Sequence, residues 1–216
     1  MFWSRRSKTF MIAAMPRPRK FLESDVIDQA GDVFAANGYA GTTLDDLVKA
    51  TGLGKQSLYN AFGGKHELFL KTLGARSSEA LAAVDEALSG PDSTPLERIR
   101  AQMLKLAIAV SSGDVGDLLV TKATLERAGQ DTAVADAAAL AHDAQAEIYR
   151  HCIIDAQDSG EIDSKADAAA LAEFFVAVSR GMEVIGNAGV SRAKLTAVAV
   201  TSLQAIPLAA SRPGAA

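Results

Sequence analysis

The sequence predicts an all-α protein built from a three-helix N-terminal unit and a six-helix C-terminal body. Apolar residues recur at helical spacing along most of the 216 residues, whereas alternating strand patterns are scarce. Glycine, proline and capping residues divide the chain into nine helical segments. The third segment, KQSLYNAF, is short and polar, so it is not expected to be a core helix.

The first segment, ESDVIDQAGDVFAANG, places its apolar residues on one face of a helix. Ser24 is its expected N-cap, and Gly38 is its expected end. Gly31 lies within the segment, where a glycine costs roughly 1 kcal/mol relative to alanine. We therefore expect another part of the chain to pack closely against Gly31.

The second and third segments form a pair of short helices. The second starts at Thr43, whose spacing to Asp46 predicts a capping box, and it ends at Gly52. The third starts at Lys55, directly after the turn. Two short helices joined by a tight glycine turn and braced by a first helix indicate a helix-turn-helix unit.

The outward face of the third segment is rich in hydrogen-bonding groups. The residues expected on this exposed side are Lys55, Gln56, Ser57, Tyr59 and Asn60. A helix fits the DNA major groove, where lysine, glutamine and asparagine can hydrogen-bond to base edges. Thr43 and Lys65 lie where the second and fourth segments start, and the free N–H groups of helix N-termini favour phosphate. A solvated surface helix is the alternative, but the capped helix, the turn and the basic arm together favour DNA.

Charge is distributed unevenly along the chain. Residues 1–20 contain six basic and no acidic side chains, while the chain as a whole has a formal charge of −4. A flexible basic arm at one end of an acidic body predicts an anionic partner there. A twin-arginine export signal is disfavoured because its apolar stretch is short and runs into PRPRK. Translation could also begin at Met15, which would leave residues 1–14 outside the native protein.

Cysteine content and hydropathy indicate a cytoplasmic location. A lone cysteine, Cys152, cannot form a disulfide within the chain, which favours a reducing compartment. No stretch of 18 consecutive apolar residues occurs, so no membrane partner is expected.

The run from Phe34 to Phe69 resembles the N-terminal domain of the TetR family of bacterial transcriptional repressors. The matching landmarks are Phe34, Gly38, Tyr39, Thr42, Thr43, Leu47, Gly52, Leu58, Tyr59, Phe62, Lys65, Leu68 and Phe69. The resemblance implies phosphate contacts by Thr43, Tyr59 and Lys65. It implies base contacts by Lys55, Gln56, Ser57 and Asn60. His66 and the pair Gly63 and Gly64 depart from the family pattern, which leaves the operator sequence open.

The resemblance also implies a domain organisation. Residues 1–20 would be the arm, 21–67 the DNA-binding domain, 68–210 the domain for effector binding and dimerisation, and 211–216 a frayed tail. The implied function is that of a repressor, released from a palindromic double-stranded operator by a small molecule. Activation instead of repression remains open.

The body contains the last six segments. A long helix is predicted from Lys65, followed by helices at 95–111, 115–128, 132–158, 166–187 and 192–206. Two such C-terminal helices from each protomer form the homodimer interface of the family. Phe174 and Phe175 are adjacent and cannot both point into one core, so we expect one of them at the subunit contact. The alternative is that one phenylalanine is simply exposed.

A pocket inside the body would be the effector site. Candidate lining residues are Met103, Leu106, Leu119, Phe175 and Met182, each of which could instead be an ordinary core residue. Few polar side chains interrupt these helix faces, which favours a small apolar effector.

Neither an enzyme nor a purely architectural DNA-binding protein fits the sequence as well. His142 and His151 are nine residues apart, so they do not share a helix face as a metal pair would. Cys152 beside His151 is a poor nucleophile pair, and these residues are expected at the surface or an interface. No catalytic motif, cofactor or metal site is expected. An architectural protein would not need six further apolar helices.

Overall fold

The computed structural model describes residues 22–91, 93–112 and 118–209, and these residues form nine helices. The helices are α1 Glu23–Gly41, α2 Leu44–Thr51, α3 Lys55–Phe62, α4 Lys65–Ser89, α5 Pro95–Ser112, α6 Leu119–Arg127, α7 Thr132–Asp158, α8 Ala168–Asn187 and α9 Arg192–Leu203. The described residues also contain an isolated antiparallel β-bridge between Ile162 and Leu208. The all-α prediction is confirmed. The predicted arm, the tail at 211–216 and the predicted start of the sixth helix at 115 lie outside the described residues.

Two predicted boundaries in the body shift for local reasons. The eighth helix begins at Ala168 rather than 166, because the Asp167 side chain accepts hydrogen bonds from the first backbone N–H groups and caps the helix there. The ninth helix ends at Leu203 rather than 206. Ile206 turns into the core and precedes Pro207, and a residue before proline disfavours helical backbone.

The start of α1 differs from the prediction, and the predicted end at Gly38 is a kink three residues before α1 ends at Gly41. Ser24 lies inside the helix and its hydroxyl donates to Asp25, so the prediction of Ser24 as N-cap is wrong. The N-cap is Leu22, which has no capping side chain; Glu23 and Asp25 favour this first turn through the helix dipole. Gly38 breaks the helix as predicted, with φ 71° and ψ 175°.

The expected close approach at Gly31 involves α4. A Cβ atom on Gly31 would lie 2.8 Å from Nε of Arg76 and 3.0 Å from Cγ2 of Thr72. The missing side chain at Gly31 therefore lets Arg76 pass across α1.

The N-terminal helices share their core with the body. Phe34 of α1, Leu47 of α2 and Leu58 of α3 are buried in the same cluster as Leu119 of α6 and Val134 of α7. Helix α4 is continuous across residues 67 and 68, so the predicted domain boundary falls inside a helix. That boundary stays a prediction.

A second core fills the body. Tyr149 of α7 stacks on Phe175 of α8 with 5.8 Å between ring centroids, and Met103 of α5 packs in the same cluster. Cys152 also belongs to this cluster, so the prediction of a surface or interface position for it is wrong. Its face of α7 packs on the start of α5, where the thiol donates to the Pro95 carbonyl. Burial raises the pKa of the Cys152 thiol.

The contact between α8 and α5 gives a stability prediction at Gly186. A Cβ there would lie 1.9 Å from Cγ1 of Val110 and 3.3 Å from Cδ1 of Leu195. Overpacking of this kind costs about 1–3 kcal/mol, which exceeds the helix-propensity gain of about 1 kcal/mol. We expect Gly186→Ala to lower the melting temperature.

Gly74→Ala is the matched control, because no atom lies within 4 Å of a Cβ at this exposed site of α4. It should keep the melting temperature or raise it. Equal stabilisation by both substitutions, measured by thermal unfolding, would contradict the packing at Gly186.

Candidate nucleic-acid interface

The predicted capping box fixes the start of α2. The backbone N–H of Thr43 donates to the Asp46 carboxylate over 2.8 Å, and the Asp46 N–H donates to the Thr43 hydroxyl over 3.2 Å. The Thr43 hydroxyl also donates to the same carboxylate over 2.6 Å. These two hydrogen bonds from Thr43, with the hydroxyl as the larger cause, lower the pKa of Asp46.

A glycine turn then sets the direction of α3. Gly52 caps α2 in the left-handed conformation with φ 65°, as predicted, and α3 follows from Gly54. Leu47, Leu58 and Phe62 are buried and hold the two helices together.

The polar face of α3 points to solvent. Lys55, Gln56, Ser57, Tyr59 and Asn60 are all exposed, and 48% of the Tyr59 surface is accessible. The Gln56 amide donates to the Asn60 side-chain carbonyl over 2.9 Å. The Lys55 ammonium lies 2.8 Å from the Asp45 carboxylate of α2, a partner that the sequence analysis missed.

Two glycines make the sharp turn from α3 to α4. Gly63 has φ 88° and Gly64 has φ 149°, values that side-chain-bearing residues rarely adopt. A Cβ on Gly64 would lie 3.4 Å from Cε1 of Tyr59, so the glycine also gives the Tyr59 ring room. The departure from the family pattern at these positions thus retains a tight turn.

The start of α4 combines an uncapped helix N-terminus with the cationic side chain of Lys65. No side chain caps α4, so its first N–H groups are left to other acceptors. The Lys65 ammonium lies over the Tyr39 ring at 4.2 Å from the centroid, and partial burial lowers the pKa of Lys65. All seven predicted contact residues therefore lie on α3 or at the starts of α2 and α4.

Helix α6 is hydrogen-bonded to the C-terminal part of α1. The Glu126 carboxylate accepts from the backbone N–H groups of Tyr39 at 2.9 Å and Ala40 at 2.7 Å. The Lys122 ammonium donates to the Ala35 carbonyl over 2.7 Å. These contacts hold the kinked end of α1, and the sequence analysis missed them because the partners are more than 80 residues apart.

His66 forms another long-range contact. Its Nε2 lies 2.8 Å from the carboxylate of Asp131, the N-cap of α7, and the Arg127 guanidinium lies 3.1 Å from the same oxygen. The hydrogen bond from His66 is the largest cause of a lowered pKa of Asp131.

A cavity of about 380 Å³ lies between α4, α5, α6, α7 and α8. Its apolar wall consists of Ala80, Leu81, Ala83, Val84, Leu106, Ala109 and Val120. Its polar wall consists of Arg76, Ser77, Glu79, Gln102, Lys105, Gln145, Arg180 and Glu183. Few polar residues were expected, and that expectation is wrong for this cavity, because hydrophilic side chains turn towards it from four helices.

The five predicted pocket residues separate into two groups. Leu106 lines the cavity. Met103, Leu119, Phe175 and Met182 do not line it; each is at most 1% exposed and lies in a hydrophobic core. The sequence could not distinguish the two groups, because cavity walls and cores have the same periodicity.

The two adjacent phenylalanines of α8 have opposite environments. Phe175 is 0% exposed against Tyr149, so of the two residues Phe174 is the one available to a second subunit, and that contact stays a prediction. Phe174 is 37% exposed and begins a stripe with Ala177, Gly181 and Val184 at helical spacing. On α9 an exposed small-residue face contains Ala193, Ala197 and Val200.

The described histidines and acids do not combine into a metal site. Within the described ranges, no group of three or more His, Cys, Asp or Glu side chains could hold a metal ion. His151 is exposed, as predicted, and His142 pairs with Glu173 at 2.6 Å. None of the described helices is long and apolar enough to cross a membrane.

The capping box makes α2 sensitive to acid. Because the pKa of Asp46 is lowered in the folded state, its contribution is full above the usual value of 3.8 and is lost as the pH falls through the folded value. We expect Asp46→Asn to be less stable than the unaltered protein at neutral pH. The difference in thermal unfolding should vanish at the acid end of the folded range. A difference that stays constant with pH would contradict the ionised cap.

Comparisons with known proteins agree with this geometry. Residues 26–72 match the sequence family described as "Bacterial regulatory proteins, tetR family". The chain is 29% identical over 194 residues to the HTH-type transcriptional repressor ComR of Escherichia coli, covering 88% of this chain and 91% of ComR. It is 38% identical over 52 residues to the negative regulator IcaR of Staphylococcus epidermidis, covering 24% of this chain and 28% of IcaR.

Solved structures give the same result. One of them is a cysteine mutant of the TetR family transcriptional regulator CifR, complexed with double-strand operator DNA. Its TM-score is 0.78 at 28% sequence identity, and the match covers 88% of this chain and 100% of the CifR chain. The reduced form of NemR from Escherichia coli has a TM-score of 0.78 at 14% identity over 88% of this chain and 98% of NemR, which shows the fold alone. These relatives are regulators, in agreement with the prediction that the chain is not an enzyme. The chain belongs to the TetR family of DNA-binding transcriptional regulators.

Proposed function

We propose that the protein is a homodimeric repressor that binds a palindromic operator and is released from it by a small molecule. The exposed polar face of α3, placed between two glycine turns, is the observation on which this proposal rests. ComR and IcaR are named as repressors, and CifR has been solved with operator DNA. The proposal implies a cytoplasmic location, where the operator would be. Residues 21–67 would bind DNA and residues 68–210 would bind the effector and the second subunit, with α4 common to both.

The DNA contacts would fall into two classes. Lys55, Gln56, Ser57 and Asn60 are exposed on α3 and would face base edges. Thr43, Tyr59 and Lys65 would contact phosphates, which fix position but carry no sequence information. The uncapped first turn of α4 supports the assignment of Lys65, because free N–H groups there add to its charge.

Selection of random DNA fragments by the purified protein tests the central proposal. A palindrome with half-sites about one helical turn apart, roughly 34 Å, is expected. Recovery of fragments without a shared sequence would reduce the protein to a non-specific DNA binder.

Substitutions at Lys65 and Gln56 separate the two classes of contact. Lys65→Ala should weaken binding to every operator variant alike and lower the salt slope by about one. Gln56→Ala should relax preference at one base pair, at a cost of about 1–3 kcal/mol there. Fluorescence anisotropy on a panel of single-base operator variants measures both effects. A uniform loss for both mutants would contradict base recognition by Gln56.

The dimer would form through the exposed faces of α8 and α9. The stripe from Phe174 to Val184 consists of apolar and small residues, and α9 presents a similar face. Small residues let helices of two protomers approach closely, and a two-fold axis makes such a surface self-complementary. The dimer would then hold two copies of α3 at the spacing of the half-sites.

Charge substitutions test this interface. Phe174→Glu should yield a monomer with folded N-terminal helices, because a charge buried without a partner costs several kcal/mol. Its operator affinity should fall towards the non-specific level. Phe175→Glu should instead unfold the body, because Phe175 is 0% exposed.

Leu125→Glu is the matched control for Phe174→Glu. Leu125 is an apolar residue of α6 that is 71% exposed and lies outside the proposed interface. It should remain a dimer in sedimentation at micromolar concentration. A dimeric Phe174→Glu variant would place the interface elsewhere on the body.

Release would begin in the cavity between α4 and α8. A ligand can shift the protein only if it binds the DNA-free arrangement more tightly than the DNA-bound one. Helix α4 connects the two sites, since it starts at Lys65 and lines the cavity from Arg76 to Val84.

A thiol switch is less well supported. CifR was solved as cysteine mutants and NemR in a reduced form, but Cys152 of this chain is buried and its pKa is raised.

A further inference from the structure

Arg76 contacts both the cavity and α1. Its side chain lines the cavity and is 17% exposed. One guanidinium nitrogen, Nη2, donates to the Asp28 carbonyl at 3.1 Å and to the Asp32 carboxylate at 2.9 Å. The other, Nη1, lies 3.6 Å from the Glu79 carboxylate. The guanidinium reaches α1 because Gly31 leaves the space that a Cβ would fill.

Three cations, Arg76, Lys105 and Arg180, and two carboxylates, Glu79 and Glu183, line the cavity. Arg76 is paired with Asp32 of α1, so the positive charge still available to a ligand is that of Lys105. Glu183 is held by Arg180 at 3.1 Å and is mostly buried, so this pair neutralises itself. Among the residues that the structure describes, no ion pair involves Lys105.

The rest of the wall limits the kind of molecule that fits. Seven apolar residues and a volume of about 380 Å³ suit a small molecule with a substantial apolar part. Lys105 would repel a positively charged ligand, whereas a ligand with one negative charge would neutralise Lys105. Lys105 would attract the charge, and Arg76 could bind it with its planar set of N–H donors.

We propose that the cavity binds an apolar molecule with one negative charge, and that this charge draws Arg76 away from α1. This inference rests on the proposed ligand-responsive function. The anion replaces the Asp28 carbonyl and the Asp32 carboxylate as acceptor for Nη2. Helix α1 then loses its hydrogen bonds to Arg76 of α4. Helix α2, which packs on α1, changes position with it, and so does α3, which packs on α2. A neutral ligand of the same shape leaves Arg76 on α1 and does not release DNA.

Matched compounds test the charge requirement. Octanoate and 4-phenylbutyrate are the anionic probes, their primary amides are the neutral controls, and octylamine is the cationic control. Calorimetry measures binding to the DNA-free protein, and anisotropy measures release from the selected operator. The carboxylates should release DNA at concentrations at least about tenfold lower than the amides, which is the effect of one charge-assisted hydrogen bond.

The outcomes distinguish this inference from the proposed function. Equal release by the acids and the amides, release by octylamine, or no binding of either acid overturns the inference and leaves ligand-responsive repression standing. Acids that bind but never change operator affinity overturn the release step itself.

Three variants separate octanoate binding from its effect on operator affinity. Arg76→Gln should remove the coupling, so that octanoate binds the DNA-free and operator-bound protein equally. Lys105→Gln should weaken octanoate binding but keep the ratio of the two affinities. Asp32→Asn weakens the competing acceptor and should lower the octanoate concentration needed for release. Circular dichroism checks that each variant is folded. An unchanged affinity ratio in folded Arg76→Gln, or an unchanged octanoate requirement in Asp32→Asn, overturns the role of Arg76.

Discussion

Helix α4 is a single continuous element that belongs to two hydrophobic cores. Its first turns bury Leu68, Phe69 and Leu73 in the N-terminal core, while Leu88 near its end packs in the core of the body. Because both cores are closely packed, a shift of α4 along its length would disturb side chains in both of them.

Helix α6 fixes α1 in a different way. It is only nine residues long, yet it holds the kinked end of α1 through Glu126 and Lys122 and contacts α8 through Thr121, whose hydroxyl donates to Glu183. Glu183 also lines the cavity. The N-terminal helices thus meet the cavity along two routes, one through Arg76 of α4 and one through α6. Both routes use hydrogen bonds to α1, which can exchange partners without loss of the apolar core.

Local patterns determined how much of this structure the sequence could predict. The capping box at Thr43, the glycine ends of α2 and α3 and the bounds of α7 depend on neighbouring residues, and all were predicted correctly. Periodicity also predicted one face of α8 inside the body and a second face against another subunit, and the second face stays a prediction. It could not assign the inner face to Phe175, because that depends on Tyr149, which lies 26 residues away in the chain. The polar cavity, the partner of His66 and the burial of Cys152 depend on helix packing, of which a single sequence gives no direct sign.

The ion pair between Lys55 and Asp45 affects more than the local geometry of α3. Any polyanion attracts lysine side chains, and this attraction dominates non-specific binding to DNA. Asp45 offsets part of it, because a carboxylate beside Lys55 repels phosphate and already occupies the ammonium. With the base contact proposed for Lys55, a guanine edge that accepts its hydrogen bonds would replace the carboxylate, whereas a phosphate contact would gain less. The acidic neighbour would then lower affinity for non-specific DNA more than for the operator, and the ratio of the two affinities governs how a regulator finds one site in a genome.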